Sequence, residues 1–196
     1  MSKSKTGLEE FLSAFRNSPS HGHQVAHHSH QPGRSARWSQ PPPSLCANAR
    51  RALRAGGLEN LFTHQAEALE AIGAGQDTVV ATPTASGKSL IYQLAMLCAG
   101  ESTGGRGLFL YPLKALAQDQ LKGFQRLAGH MEAPLTAAIY DGDTPAAERR
   151  RIRQQPPSVV FSNPEMLHLS LLPHHAAWAD FWRGLQLVVI DEAHVY

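Results

Sequence analysis

The nine residues Ala81-Thr82-Pro83-Thr84-Ala85-Ser86-Gly87-Lys88-Ser89 leave this chain few folds to choose from. Upstream lies Asp77-Thr78-Val79-Val80, a short apolar run with β-branched residues. Downstream, Leu90-Ile91-Tyr92-Gln93-Leu94-Ala95-Met96-Leu97 is long and apolar enough for a buried helix. The order predicts strand, small-residue turn, helix, the setting of a phosphate-binding loop. Small side chains let the backbone N–H groups of Ala85 to Ser89 turn toward one point, where the helix N-terminus adds partial positive charge. Lys88 would then reach β- and γ-phosphates, and the Ser89 hydroxyl would hold Mg²⁺. Thr82 stands where the strict pattern has its first glycine, Pro83 to Ser86 fill the loop, and Gly87 precedes the lysine. A bare Gly-Lys-Ser also occurs in ordinary strand-to-helix turns with a surface lysine, so this reading needs a second motif.

The second motif lies at the far end. Leu187-Val188-Val189-Ile190 reads as a fully buried strand of a parallel sheet, followed at its tip by Asp191-Glu192-Ala193-His194. Open α/β sheets bind ligands at the carboxyl ends of their strands. There Asp191 can orient a Mg²⁺ shell and Glu192 can position and polarise an attacking water. A solvated acidic turn would explain this stretch alone. Two such motifs in this order, each on a buried strand, predict a nucleoside triphosphatase.

Thr82–Ser89 and Asp191–His194 resemble motifs I and II of superfamily 2 helicases, in the D-E-A-H lettering. A non-glycine first loop position is usual in that superfamily. The resemblance implies that Gln65, in Leu61–Leu69, belongs to a Q motif and recognises adenine, since a carboxamide offers one donor and one acceptor. Read by residue type alone, that stretch is a helix start capped by Thr63. Arg106–Tyr111 reads as a strand ended by Pro112, with a helix from Leu113 to about Leu127. It resembles motif Ia, which implies a grip on the nucleic-acid backbone at Pro112 and Lys114. Ser158–Phe161 reads as a buried strand, and Ser162-Asn163-Pro164 opens a helix. The latter resembles motif Ib, implying backbone contacts from Ser162 and Asn163. His194 would carry the nucleotide state onward.

The chain has 196 residues, 42% of them hydrophobic, enough for one domain with a core and a polar segment attached. The net charge of +2 creates no strong overall field toward nucleic acid, so any such contact must be local. Cys46 and Cys98 lie far apart without metal-ligand spacing and read as reduced thiols. No apolar run approaches the ~18 residues of a membrane span, and the N-terminus lacks a signal-peptide core. The expectation is a cytoplasmic protein.

Residues 1–43 read as a disordered tail and 44–196 as an incomplete helicase ATP-binding domain. Within the tail, Leu8, Phe11, Leu12 and Phe15 fall at helical spacing, while Ser18 to Pro43 is rich in His, Ser, Pro and Gln. Its histidines His21, His23, His27, His28 and His30 fit no closed four-ligand metal site. Ser44 to Ala55 predicts a helix stopped at Gly56-Gly57. Leu135–Tyr140 predicts a strand, and Asp141–Pro145 a turn. Ala146–Gln154 predicts a helix carrying Arg149, Arg150, Arg151 and Arg153, read chiefly as a solvated face. Trp178, Phe181 and Trp182 read as core.

The resemblance covers about Leu58 to Tyr196. Within the superfamily it narrows to bacterial DNA helicases distantly related to RecQ, which often carry a C-terminal zinc-binding domain. It implies an α/β, RecA-like P-loop fold, a mostly parallel sheet with helices on both faces, truncated after motif II. It further implies ATP and Mg²⁺ as cofactors and DNA as the track, with RNA left open. A second RecA-like domain is expected in cis, probing for which means looking beyond Tyr196. In the family the motif III strand lies between those of motifs I and II, so its absence predicts either a gap at the sheet's centre or wrongly paired strands. The expected function is ATP-driven translocation and unwinding in DNA repair. The alternatives are a non-unwinding translocase and an inactive nucleotide-binding interaction fragment.

Overall fold

The computed structural model describes residues 7–27, 29, 35–83 and 85–196. Thr84, His28 and His30 lie outside them. The chain divides into two compact units, Met1–Ala36 and Arg37–Tyr196. In the first, the spacing of Leu8, Phe11, Leu12 and Phe15 does produce a helix, α1 (Gly7–Arg16), and all four side chains are exposed. A single turn of 3-10 helix follows at Gly22–Gln24.

The second unit begins earlier than the sequence predicts. Strand β1 (Trp38–Ser39) pairs antiparallel with β2 (Leu61–Phe62), and the Trp38 and Phe62 rings stack with centroids 4.5 Å apart. Residues 37–43 therefore belong with the ordered unit. Trp38 supplies the apolar area that the rest of the polar tail lacks. Helix α2 (Ala47–Ala55) starts at Cys46, whose sulfur accepts the Ala49 N–H, and ends before Gly57, where φ is +71°. Helix α3 (Thr63–Gly73) is entered through Phe62, so Thr63 is its first residue and not its cap. The Gln65 side-chain oxygen instead turns back to accept the Phe62 N–H at 2.9 Å, the glutamine half of a capping box.

Helix α4 (Lys88–Thr103) leads to β3 (Arg106–Leu110) and α5 (Lys114–Ala128). Then come β4 (Ala137–Ile139), α6 (Ala146–Gln154), β5 (Val159–Ser162) and α7 (Pro164–Met166). Helix α8 (Ala179–Arg183) and β6 (Leu185–Ile190) complete the order. The four long-range strands form one parallel sheet, ordered β4-β5-β3-β6. Alternation along the strands sends side chains to opposite faces. Phe109, Val159 and Phe161 pack with α2 to α5 on one face, while Leu108, Leu110 and Val160 pack with Ile152, Met166, Trp178 and Phe181 on the other. Trp178 and Phe181 are fully buried, as core residues should be. This is the doubly covered α/β architecture that the motifs predict. Among the described residues no helix is long and apolar enough to cross a membrane.

Two expectations change at one edge. Asp77–Val80 joins no sheet, and Val79 is 95% exposed. Strand β6 is not fully buried: Val188 and Ile190 are half exposed. The two segments face each other across a cavity of about 460 Å³, lined on one side by Gln76, Asp77, Thr78 and Val80 and on the other by Gln186–Asp191. Strand-forming residue types do not make a strand without a backbone partner. A cavity thus separates residues 77–80 from β6.

Phe161 is fully buried and meets the rings of Phe109, Tyr111 and Phe124. Phe161→Ala is expected to destabilise the domain by about 3–5 kcal/mol, read as a lowered midpoint in urea denaturation.

Candidate functional site

The loop before α4 is held in a conformation that few residues tolerate. Ala85 has φ +61° and Gly87 φ +78°. A Cβ at Gly87 would lie 2.5 Å from the Gln65 amide nitrogen, so both its backbone angle and its surroundings require glycine. Thr82 and Ser86 join hydroxyls at 2.6 Å, and a His64 ring nitrogen meets the Ser86 carbonyl at 3.1 Å. The Lys88 ammonium donates to the carbonyls of Thr82 and Pro83 at 2.7 and 3.2 Å. It therefore folds back over its own loop, spanning the space where a phosphate would be gripped.

Gln65, the residue expected to meet adenine, is engaged inside the protein. It is buried, its oxygen accepts from Phe62 N–H, and its amide nitrogen donates to the Gly87 carbonyl at 2.9 Å. In this geometry it bolts α3 to the loop. A carboxamide oxygen has a second lone pair and the nitrogen a second hydrogen, so contact with a base requires sharing both atoms.

The acidic pair reaches the same end of the sheet. The ladder between β3 and β6 runs on through Asp191, whose N–H donates to the Leu110 carbonyl at 3.0 Å. Burial raises the Asp191 pKa above the ordinary carboxylate value, the Glu192 charge adds to that, and nearby Lys88 pulls against it. Motifs I and II are thus within electrostatic reach of each other. Glu192 takes a left-handed backbone, φ +49°, and its N–H donates to the Asp191 carboxylate at 3.1 Å. The His194 ring lies 3.4 Å from the Glu192 carboxylate. The donor set near the loop, the Ser89 hydroxyl and the Asp191 carboxylate, consists of hard oxygens. Few protein oxygens, leaving room for phosphates and water, suit Mg²⁺. No cluster of three or more metal-ligating side chains occurs among the described residues.

Behind the site runs a polar network that motif reading missed. The Tyr111 hydroxyl donates to that of Tyr92 at 3.2 Å, and both Tyr92 and Gln93 donate to the Gln120 carbonyl oxygen at 3.2 Å. Burial, more than any neighbour, pushes the Tyr92 phenol up to about 12, with nearby Ser89 and Tyr111 pulling the other way. These residues connect the loop helix α4 to the end of β3 and to α5. Their types are ordinary for a core, and only their mutual bonding marks them.

The expected nucleic-acid contacts gather at the same carboxyl edge, but not all present a free group. Pro112 follows β3, and Lys114 forms a 2.7 Å ion pair with Asp143 of the Asp141–Pro145 turn. Both partners are exposed, so a phosphate can exchange for the carboxylate at little cost. Ser162 is only 2% exposed and its hydroxyl donates to the Tyr140 carbonyl at 2.6 Å, so its side chain ties β5 to β4 instead of facing outward. Asn163 caps α7 through its oxygen, accepting the Met166 N–H at 2.8 Å, which leaves its amide nitrogen for other acceptors. Of the arginines on α6, Arg149 braces the turn through the carbonyls of Thr144 and Gly142, and Arg153 donates to the Tyr140 hydroxyl. Arg151 pairs with Glu148.

A model of the DEAD/DEAH box helicase family matches residues 62–196, the span that holds every element of this site. The chain belongs to that family. It is 38% identical over 164 residues to the uncharacterized ATP-dependent helicase YprA of Bacillus subtilis (strain 168), covering 83% of this chain and 22% of that protein. It is 36% identical over 198 residues to the ATP-dependent helicase HRQ1 of Saccharomyces cerevisiae, covering 97% of this chain and 18% of the relative. The crystal structure of the DUF1998 helicase MrfA bound to DNA and AMPPNP superposes with a TM-score of 0.84 at 37% identity, over 99% of this chain and 26% of that one. The chain spans about a fifth of the length of these curated relatives.

Two outcomes follow from this geometry. Gly87→Ala forces a side chain into a left-handed backbone, which costs about 1–2 kcal/mol, and pushes it against Gln65. It is expected to lower the melting temperature and abolish binding of a fluorescent ATP analogue. Asp191→Asn removes a carboxylate whose ionised form burial disfavours. Because the folded pKa is raised, the ionised group destabilises the fold at neutral pH, and this penalty fades as pH falls toward the ordinary carboxylate pKa of about 4. The variant is therefore expected to melt higher than the parent at pH 7, with the difference shrinking in acid, in paired thermal melts across that range.

Proposed function

We propose that the chain forms the first RecA-like domain of an ATP-driven DNA helicase, which couples ATP hydrolysis to movement along and unwinding of DNA, in DNA repair. The observation that carries this reading is that Lys88 and Asp191 line one cavity at the carboxyl edge of one parallel sheet, close enough for their charges to interact. In this reading Lys88 leaves the Thr82 and Pro83 carbonyls to grip β- and γ-phosphates, aided by the loop's backbone N–H groups. Ser89 and Asp191 would hold Mg²⁺, which would supply neutralisation of the charge on the phosphates. Glu192 orients the attacking water, and His194, beside it, responds to the state of the carboxylate. Gln65 shares its amide with adenine while keeping α3 on the loop. A second RecA-like domain in cis closes over the nucleotide and supplies the arginine that the family places there. Such a group is worth roughly 10³–10⁵ in rate in related enzymes.

Likeness to a helicase crystallised with DNA and AMPPNP supports DNA as the track and ATP as the fuel. Lys114, Pro112 and Asn163 lie at the sheet edge where a nucleic-acid backbone would run, with Lys114 trading Asp143 for a phosphate.

The test uses the natural gene product and measures ATP hydrolysis with and without DNA or RNA. Lys88→Ala is expected to abolish turnover. Glu192→Gln is expected to keep ATP binding and to lose at least about 100-fold in turnover, the scale of a lost base. Undiminished turnover in the Glu192→Gln protein would overturn the assignment of Glu192. Strand displacement by the parent separates a helicase from a translocase that moves without unwinding.

A further inference from the structure

Cys46 and Cys98 stand 52 positions apart in sequence and meet in the fold. Cys46 is the entry residue of α2, and Cys98 lies on α4, the helix that begins at Lys88. The backbone N–H of Cys46 donates to the Cys98 sulfur at 3.2 Å, while the Cys46 sulfur itself accepts from Ala49 N–H at 3.5 Å. Both residues are partly exposed, both are reduced, and both line a cavity of about 390 Å³ together with Ser44, Leu69 and Ser102. We propose that Cys46 and Cys98 form a peroxide-sensitive thiol pair whose oxidation to a disulfide locks the start of α2 to α4.

The pair is asymmetric, which sets the order of events. Interaction with the Cys98 side chain, more than burial, pushes the Cys46 thiol far above its ordinary range. The Cys46 side chain, and then its backbone N–H, lower the Cys98 pKa against the effect of burial. The thiolate is the nucleophile, so Cys98 attacks first. Its thiolate attacks the distal oxygen of a hydroperoxide, ROOH, forming an S–O bond as the O–O bond breaks; Cys98 becomes a sulfenic acid, and the departing alkoxide takes up the proton that Cys98 released and leaves as ROH. The Cys46 sulfur, losing its proton to solvent, then attacks the Cys98 sulfur and expels hydroxide, which that proton converts to water. In total two thiols and one ROOH give one disulfide, one ROH and one water. Each sulfur has lost one electron to the peroxide, and no other oxidant is required.

The resulting link closes a long loop of chain that contains α2, α3 and the phosphate-binding loop. Such a link restricts the unfolded state, so the oxidised protein is expected to melt several degrees higher than the reduced one.

The experiment treats the natural gene product with hydrogen peroxide, with and without dimedone to trap sulfenic acid, and maps peptides by mass spectrometry. Expected are a Cys46–Cys98 linked peptide from the parent and a dimedone adduct on Cys98 in the Cys46→Ser variant. Cys98→Ser is expected to give neither the link nor a matching adduct on Cys46. Absence of the linked peptide from the peroxide-treated parent overturns the pair, and this measurement needs no variant to fold. An adduct that forms on Cys46 in Cys98→Ser as fast as on Cys98 in Cys46→Ser overturns the assigned order. None of these readouts depends on nucleotide or DNA, so their failure leaves the helicase reading where it was.

Discussion

The backbone ladder between β3 and β6 positions the acidic pair that faces the loop of Lys88. Leu110 lies opposite Ile190, and one residue later the Asp191 N–H still bonds to the Leu110 carbonyl at 3.0 Å. The acidic pair is therefore delivered by main-chain hydrogen bonds, which do not depend on side-chain rotamers. Because β3 is covered on both faces, its position is set by Phe109 on one side and by Leu108 and Leu110 on the other. A parallel sheet buried in this way puts all its carboxyl ends on one edge. The loop, the acidic pair, Lys114 and Asn163 occupy that edge because the topology leaves them no other.

Legibility in the sequence followed from how much each feature depends on its neighbours. The phosphate loop was readable because Gly87-Lys88 at a strand-to-helix junction is a local backbone requirement, and the positive φ of Gly87 meets it. Helix α6 was readable to its ends, Ala146–Gln154, because a proline and a charged, periodic segment bound it. Residues 77–80 were misjudged because their β-branched character describes what could pair, and no described strand lies beside them. The alternating exposure along β6 has the same origin: that strand has one paired edge and one face open to the cavity.

Site residues divide the same way. Motif spacing proposes roles for Lys88, Asp191 and Glu192, and the fold brings Lys88 and Asp191 to the lining of one cavity. Gln65 and Ser162 fit family patterns as well, yet each spends its polar atoms inside the protein, Gln65 on Phe62 and Gly87, Ser162 on Tyr140. Residue type states what a side chain can bond to, and only packing decides what it does bond to. The converse holds for Tyr92, Tyr111 and Gln120. Nothing in their spacing sets them apart, but together they form a hydrogen-bonded path from the end of β3 through Tyr92 of α4 to α5. Low dielectric makes such a buried chain sensitive to the loss of any one partner.

The features that oppose folding are concentrated where the nucleotide site is proposed. Among the described residues, the non-glycine positions with positive φ are Ala85 in the loop and Glu192 in the acidic pair. Asp191 adds a carboxylate that its surroundings disfavour in the charged form, and Lys88 is held on backbone carbonyls of its own loop. Strain of this kind, of order 1–3 kcal/mol for each backbone outlier, persists only where the surrounding structure over-determines it. Here the determinants are the β3–β6 ladder on one side and the Gln65 bolt between α3 and Gly87 on the other. A cation at Asp191 would relieve the one electrostatic penalty, and a phosphate would offer Lys88 a charged acceptor in place of the carbonyls it now holds. The same arrangement that costs the domain stability thus favours a phosphate and a divalent cation arriving as a pair.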